Sequence, residues 1–228
     1  SNVAYESLDK ENGGLRSSQK FHLPSMIDFF LKSGYHFKEK KYLDFVDLTL
    51  KNIAYGGIND HIEGGFHRYT VDSIWHIPHF EKMLYDNAQM LSLYSKAYKR
   101  SNKKVFKNQI DNIFNFLENN LTNQDGLIFS SISAVTEIGS EKIEGDYYVW
   151  DKQKIRDLLS KDFDLFQDYF NINGKGLWEK NKYVLKREND DEYFTEKFNI
   201  SQKKLETKIS QSINILRTSR KNREKPIT

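Results

Sequence analysis

Apolar residues recur along this chain at three- and four-residue intervals, in stripes separated by glycine-containing turns. Leu43, Val46, Leu50 and Ile53 form one stripe; Phe106, Ile110, Ile113, Phe114, Leu117 and Leu121 form another. Phe80, Met83, Leu84, Leu91, Tyr94 and Tyr98 give a third, Ile155, Leu158, Leu159, Phe166 and Phe170 a fourth, and Leu205, Ile209, Ile213 and Leu216 a fifth. A helix returns to the same face about every 3.6 residues, so each stripe predicts an amphipathic helix burying one side. Pro24 and Pro78 mark expected helix starts, since a missing backbone N–H costs nothing at the first helical position. A helix begun at Pro78 would carry His79, Lys82, Asp86 and Gln89 along its polar side, opposite Phe80, Leu84 and Leu91.

The turns repeat as well. Asp9-Lys10-Glu11-Asn12-Gly13-Gly14-Leu15 returns as Asp60-His61-Ile62-Glu63-Gly64-Gly65-Phe66, with weaker echoes at Asp125-Gly126-Leu127 and Gly174-Lys175-Gly176-Leu177-Trp178. The last glycines of these turns step by roughly fifty to sixty residues, a period that means stacked supersecondary units, here with two helices each. Two short β-prone runs, 127–130 and 147–150, flank a polar connector at 133–146 and predict a small β-hairpin there. The expected architecture is all-α: helical hairpins in an arc, within a single domain spanning 1–228.

Composition narrows the class. With 38% hydrophobic and 14% aromatic residues the chain can bury a real core, and 3 Pro against 16 Phe argues for long uninterrupted elements. No apolar run approaches the about 20 residues needed to cross a bilayer, and no charged-then-apolar leader is evident, so a soluble cytoplasmic chain without membrane contact is expected. The Ser1-Asn2 start reads as a tag scar. Having no cysteine excludes disulfides, thiolate metal sites and a cysteine nucleophile. The net charge is +3, and residues 201–228 hold eight Lys/Arg against Glu206 and Glu224, so the basicity belongs to that tail. With no base-reading module beside it, the tail reads as a solvated helix face and no nucleic-acid partner is expected.

Residues 55–77 stand out, because connections of that length inside a compact domain are usually functional or disordered. This one leads into four of the six histidines, His61, His67, His76 and His79, with Arg68, Trp75, Glu81 and Lys82. The histidines lack the four-residue helical spacing of a zinc site, so no metal is expected. A nucleophile elbow, a P-loop and a dinucleotide fingerprint are also missing, so no cofactor is expected either. Aromatic planes, carboxylates, an arginine and histidines together are what proteins use to hold polyhydroxylated ligands and to move protons on them.

The stretch Gly64-Gly65-Phe66-His67-Arg68-Tyr69-Thr70-Val71-Asp72, Trp75, and Pro78-His79-Phe80-Glu81-Lys82-Met83-Leu84-Tyr85-Asp86-Asn87-Ala88 resembles the signature of the YyaL/spermatogenesis-associated thioredoxin-like protein family. The likeness extends to Gln19-Lys20-Phe21, residues 144–150, Gly176-Leu177-Trp178 and residues 223–226, while residues 133–145 replace the family's acidic run and Ser17-Ser18 part of its glycine-rich lead. The resemblance implies an α/α toroid of the six-hairpin glycosidase/epimerase type, similar to N-acylglucosamine 2-epimerase, following a thioredoxin-like domain. This chain would be its N-terminal part, a partial ring, with the thioredoxin-like domain and the remaining toroid hairpins as its missing partners. In that setting His67, His79, Glu81 and Asp86 are the candidate catalytic residues. Asp60, His61, Arg68, Tyr69, Trp75, Lys82 and Trp150 are candidates for substrate binding, with Trp75 or Trp150 stacking on a sugar. The expected function is carbohydrate binding or sugar epimerase/isomerase-like chemistry requiring the full-length protein. The competing expectation is a non-catalytic scaffold or interaction domain of a thioredoxin-like protein. Helix faces left open by a partial ring also predict homo-oligomers.

Overall fold

The computed structural model describes residues 5–228; Ser1 and Asn2 lie outside that range. Its main helices are α1 (Pro24–His36), α2 (Lys40–Tyr55), α3 (Leu84–Ser101), α4 (Lys104–Phe116), α5 (Lys152–Leu159), α6 (Phe163–Tyr169), α7 (Asp191–Lys197) and α8 (Gln202–Arg220). Short links join α1 to α2, α3 to α4 and α7 to α8, so each pair folds back as a hairpin. Pro24 opens α1 as expected, and α3 ends at Asn102 in the left-handed region that favours such a stop. The last turn of α4 widens into a π-helix, Leu117–Leu121.

The apolar stripes close two main cores. Ile27, Phe30, Val46, Leu50, Ile53, Tyr94 and Ile113 join α1 to α4. Trp150, Ile155, Leu159, Phe166, Phe194, Leu205 and Leu216 join α5 to α8. Between them Phe80, Tyr148, Val149 and Val184 make a smaller aromatic joint.

Pro78 does not start a helix. It belongs to the three-stranded sheet β1 (Lys20–Phe21), β2 (Tyr69–Thr70) and β3 (Pro78–His79), in which Lys20 pairs with Thr70 and Tyr69 with His79. The Asp72 carboxylate is the local cause: it accepts the backbone N–H groups of Ile74, His76 and Ile77 and folds the chain back before Pro78. Strand β4 (Lys82–Met83) then pairs with β5 (Ser131–Ile132), and α3 starts only at Leu84. The polar helix side imagined through His79, Lys82, Asp86 and Gln89 therefore does not exist. The β-hairpin lies inside the polar connector, as β6 (Val135–Ile138) and β7 (Glu141–Glu144). Of the flanking runs, Trp150 pairs instead with Tyr183, in β8 (Trp150–Asp151) and β9 (Lys182–Tyr183), and 127–130 forms no named strand.

The repeated turns have one architecture. In the first, Asp9 N–H donates to Gly14 O and Gly13 N–H to Asp9 O; in the second, Asp60 N–H donates to Gly65 O and Gly64 N–H to Asp60 O. Both glycine pairs sit at positive φ, and a Cβ on Gly65 would be driven into the Phe116 ring. A buried lysine closes each turn: Lys20 Nζ bonds Asp9 Oδ2 at 2.6 Å and the Gly13 carbonyl, and Lys82 Nζ bonds Asp60 Oδ2 at 2.8 Å and Gly64 O at 2.8 Å.

Candidate functional site

The candidate residues of the 55–88 stretch separate into three places. The first is a buried ion cluster. Asp60 faces inward, its carboxylate capping Ile62 N–H at 3.0 Å and bonding both Lys82 Nζ and Arg220 Nη1 at 2.8 Å. Arg220 arrives from the end of α8, also donating to Tyr148 O at 3.1 Å and standing 3.4 Å from Glu63 Oε2. All three ion partners are about 2% exposed or less at the side chain. Burial opposes ionisation of Asp60, but Arg220 and Lys82 outweigh it and hold the carboxyl well below the usual range. His67 lies beside this cluster, with Nδ1–H donating to Phe80 O at 2.9 Å. Burial, and then the Lys82 charge, depress its pKa well below the ordinary imidazole value, so it is neutral at pH 7.

The second place is a surface cluster. Arg68 Nη1 and Glu81 Oε2 pair at 3.1 Å with side chains 42% and 27% exposed. Tyr69 stacks on Phe21 and on His79, and His79 Nδ1 meets Glu144 Oε1 at 2.9 Å. Asp86, in the first turn of α3, is half-buried, with Oδ2 lacking a partner among the described residues. Burial raises its pKa to about 6, against the pull of Arg68. An exposed pair contributes about 0–1 kcal/mol. Arg68→Ala and Glu81→Gln are thus each expected to cost less than about 1 kcal/mol in urea unfolding, whereas a buried structural pair would cost roughly 3–5 kcal/mol.

The two tryptophans proposed for sugar stacking are both fully buried. Trp75 donates Nε1–H to Asn12 O at 2.8 Å, with Lys20 Nζ above its ring; Trp150 carries the Arg223 guanidinium 4.0 Å from its ring centre. Both faces are taken by protein, which removes them as stacking platforms.

The third place is a groove of about 710 Å³ between α4 and α8. These helices run in the same direction: Lys104 pairs with Glu206 near their starts, and near their ends the Ile62–Gly64 turn meets Asn112 and receives Arg217 on Ile62 O at 2.9 Å. One end of the groove is aromatic. There Arg187 lies between the Tyr55 and Tyr169 rings, 4.3 and 4.1 Å from their centres, and pairs with Asp191 at 2.6 Å; Tyr169 OH donates to the same carboxylate at 2.8 Å. His61 borders this end, with Nε2–H donating to Gly56 O at 3.0 Å and Nδ1 facing Asn59 Nδ2 at 3.4 Å. Burial and the neighbouring Arg187 lower its pKa to about 4. Both ring nitrogens are engaged, so His61 is a fixed wall rather than a proton carrier.

Of the sequence candidates, then, only His61 borders the groove. The structure brings Asp60, His67 and Lys82 together with Arg220, and Arg68, Glu81 and Asp86 together at the surface. Sequence reasoning missed Tyr55, Tyr169, Arg187, Asp191 and the polar face of α4, which come from four separate segments. The readable signal was in α4, where three asparagines interrupt a helix of 13 residues. Among the described residues no three His, Asp or Glu side chains converge as a metal ligand set, and no helix is long and apolar enough to cross a membrane.

No family model matches the chain. It is 34% identical over 245 residues to uncharacterized protein B0495.5 of Caenorhabditis elegans, covering 96% of this chain and 34% of that protein. Spermatogenesis-associated protein 20 of Homo sapiens is 36% identical over 162 residues, covering 68% of this chain and 20% of the relative. The chain is homologous to spermatogenesis-associated protein 20. It spans about a third of the worm relative and a fifth of the human one. Among solved structures, cellobiose 2-epimerase from Bacillus thermoamylovorans B4167 superposes with a TM-score of 0.50 at 12% identity, over 92% of this chain and 66% of that one. The fold is that of the α/α toroids, with small strand pairs added at the turns.

Proposed function

We propose that this chain is a carbohydrate-binding part of an α/α toroid, and that the groove between α4 and α8 is where the ligand sits. One observation carries the reading: an open groove of small-ligand size has an aromatic end at Tyr55, Tyr169 and Phe170 and polar walls rich in hydrogen-bonding groups. The toroid fold, which a sugar epimerase shares, is consistent with it. Epimerase- or isomerase-like turnover, and attachment to a thioredoxin-like domain, are proposals for the longer proteins that this chain resembles.

The test is saturation-transfer NMR with mono- and disaccharides on the parent chain and on Ser210→Trp, which fills the groove from an exposed position on α8. Expected are saccharide signals from the parent that are lost in the variant, with the melting temperature unchanged. Silence from every saccharide in the parent, or signals untouched by Ser210→Trp, would overturn the proposal. The scaffold reading draws on a different observation: Asp60, Lys82, His67 and Trp75 are packed inside the protein, so most of the 55–83 connection holds the fold together. A silent parent would leave that reading standing.

A further inference from the structure

The α4 wall of the groove is unusual in its chemistry. Asn108, Gln109, Asn112 and Asn115 all line it, at positions that share one side of the helix. Asparagine is a poor residue for a helix interior, costing up to about 0.7 kcal/mol relative to alanine. Three of them in a helix of 13 residues is a local rule broken without a structural return. None of the three asparagine side chains bonds to another described residue, although Asn115 lends its backbone carbonyl to Asn119. Gln109 is 5% exposed and its Oε1 has no partner among the described residues, a costly state for a buried acceptor. A carboxamide carries a two-hydrogen donor and a two-lone-pair acceptor side by side and no charge. Adjacent hydroxyls of a sugar ring each donate and accept in the same way.

Resting on the reading of the groove as a saccharide site, we infer that the α4 carboxamide ladder reads the hydroxyls of a neutral saccharide and disfavours its uronic acid counterpart. The charges nearby agree. Arg187 is committed to Asp191 and Lys104 to Glu206. Arg217 is held by neutral acceptors, Ile62 O and Asn214 Oδ1. Among the described residues the groove lining sets Lys104, Arg187 and Arg217 against the carboxylates of Glu63, Asp111, Asp190, Asp191, Glu192 and Glu206, a net negative wall, and Asp190 and Glu192 stand exposed at its rim. A carboxylate drawn into the groove would lose water and meet a lining of net negative charge.

The experiment is calorimetric titration of the parent chain with cellobiose and with cellobiouronic acid, repeated on Asn108→Leu/Asn112→Leu and on Asn112→Lys. The parent is expected to bind the neutral disaccharide at least about ten-fold more tightly than the acid. The double leucine variant should lose about ten-fold or more of the neutral affinity while melting no lower than the parent, because leucine is the better helix former. Asn112→Lys should shift the ratio toward the uronate by several-fold. Equal or tighter uronate binding by the parent would overturn the inference and leave the groove as a saccharide site. Neutral binding indifferent to the leucine substitutions would overturn the role of the ladder alone. If neither sugar binds at millimolar concentration, the groove reading falls and takes this inference with it.

Discussion

Taking the protein from pH 7 to pH 5 is expected to remove most of its stability. His22, His61, His67 and His76 are held neutral, chiefly by burial, with pKa values lowered to about 3 for His22 and to about 4 for His61 and His76. The unfolded chain takes up those protons from about pH 6.5 downward, whereas the folded chain does not. Stability is therefore full above about 6.5 and is lost as pH falls toward the folded values. Each fully mismatched histidine costs about 1.4 kcal/mol per pH unit, so at pH 5 His22, His61 and His76 alone cost on the order of 6 kcal/mol, comparable to a whole domain's stability. Asp86 works the other way. Its raised pKa of about 6 makes the folded state the better proton acceptor between there and its ordinary 3.8, but it is one half-buried group against four. Urea unfolding followed by circular dichroism at pH 7, 6 and 5 measures the loss. His22→Leu should move the acid midpoint down, since both His22 nitrogens are buried without partners among the described residues. Stability unchanged between pH 7 and 5 would refute the account.

Asp60→Ala is the single substitution expected to damage the fold most. It strands Lys82 and Arg220, two fully buried cations, with Glu63 as the remaining nearby acid. Breaking a buried pair by removing one partner costs roughly 3–5 kcal/mol, and here two cations share the loss. Asp9→Ala makes the comparison within the same protein: there one lysine is stranded, and the carboxylate it loses was already 14% exposed. A cost about half as large is expected. Combining Asp60→Ala with Lys82→Met should recover part of the loss, because one stranded charge leaves with its side chain. Chemical denaturation of the four chains reads this directly, and a loss below about 1 kcal/mol for Asp60→Ala would contradict the buried-cluster description.

The repeat and the stripes made the helical hairpins legible in the sequence. Leu43 to Ile53 lie in α2, Phe106 to Leu121 in α4 and its π-helical end, and Leu205 to Leu216 in α8. The stretch after Pro78 misled, because the apolar spacing of Phe80, Met83 and Leu84 fits a helix while Asp72, a few residues earlier, had already bound the backbone into a turn. Side-chain capture of backbone N–H groups leaves no periodic trace. The loop's chemistry was legible only as a list: the sequence shows His67, Asp60 and Lys82 as polar, but their burial depends on Arg220, some 160 residues further along. For the same reason the groove could not be seen, since its walls meet only once α8 lies beside α4.

That separation in sequence has a consequence for how the molecule opens. Closing so long a loop carries a large entropic cost, which the Asp60–Arg220 contact can offset only when the intervening hairpins are already in place. The second glycine turn and the last turn of α8 are therefore expected to gain and lose their order together. In amide hydrogen exchange, residues 60–65 and the end of α8 are expected to open as one cooperative unit, and the first turn, locked by a lysine only 11 residues away, as another.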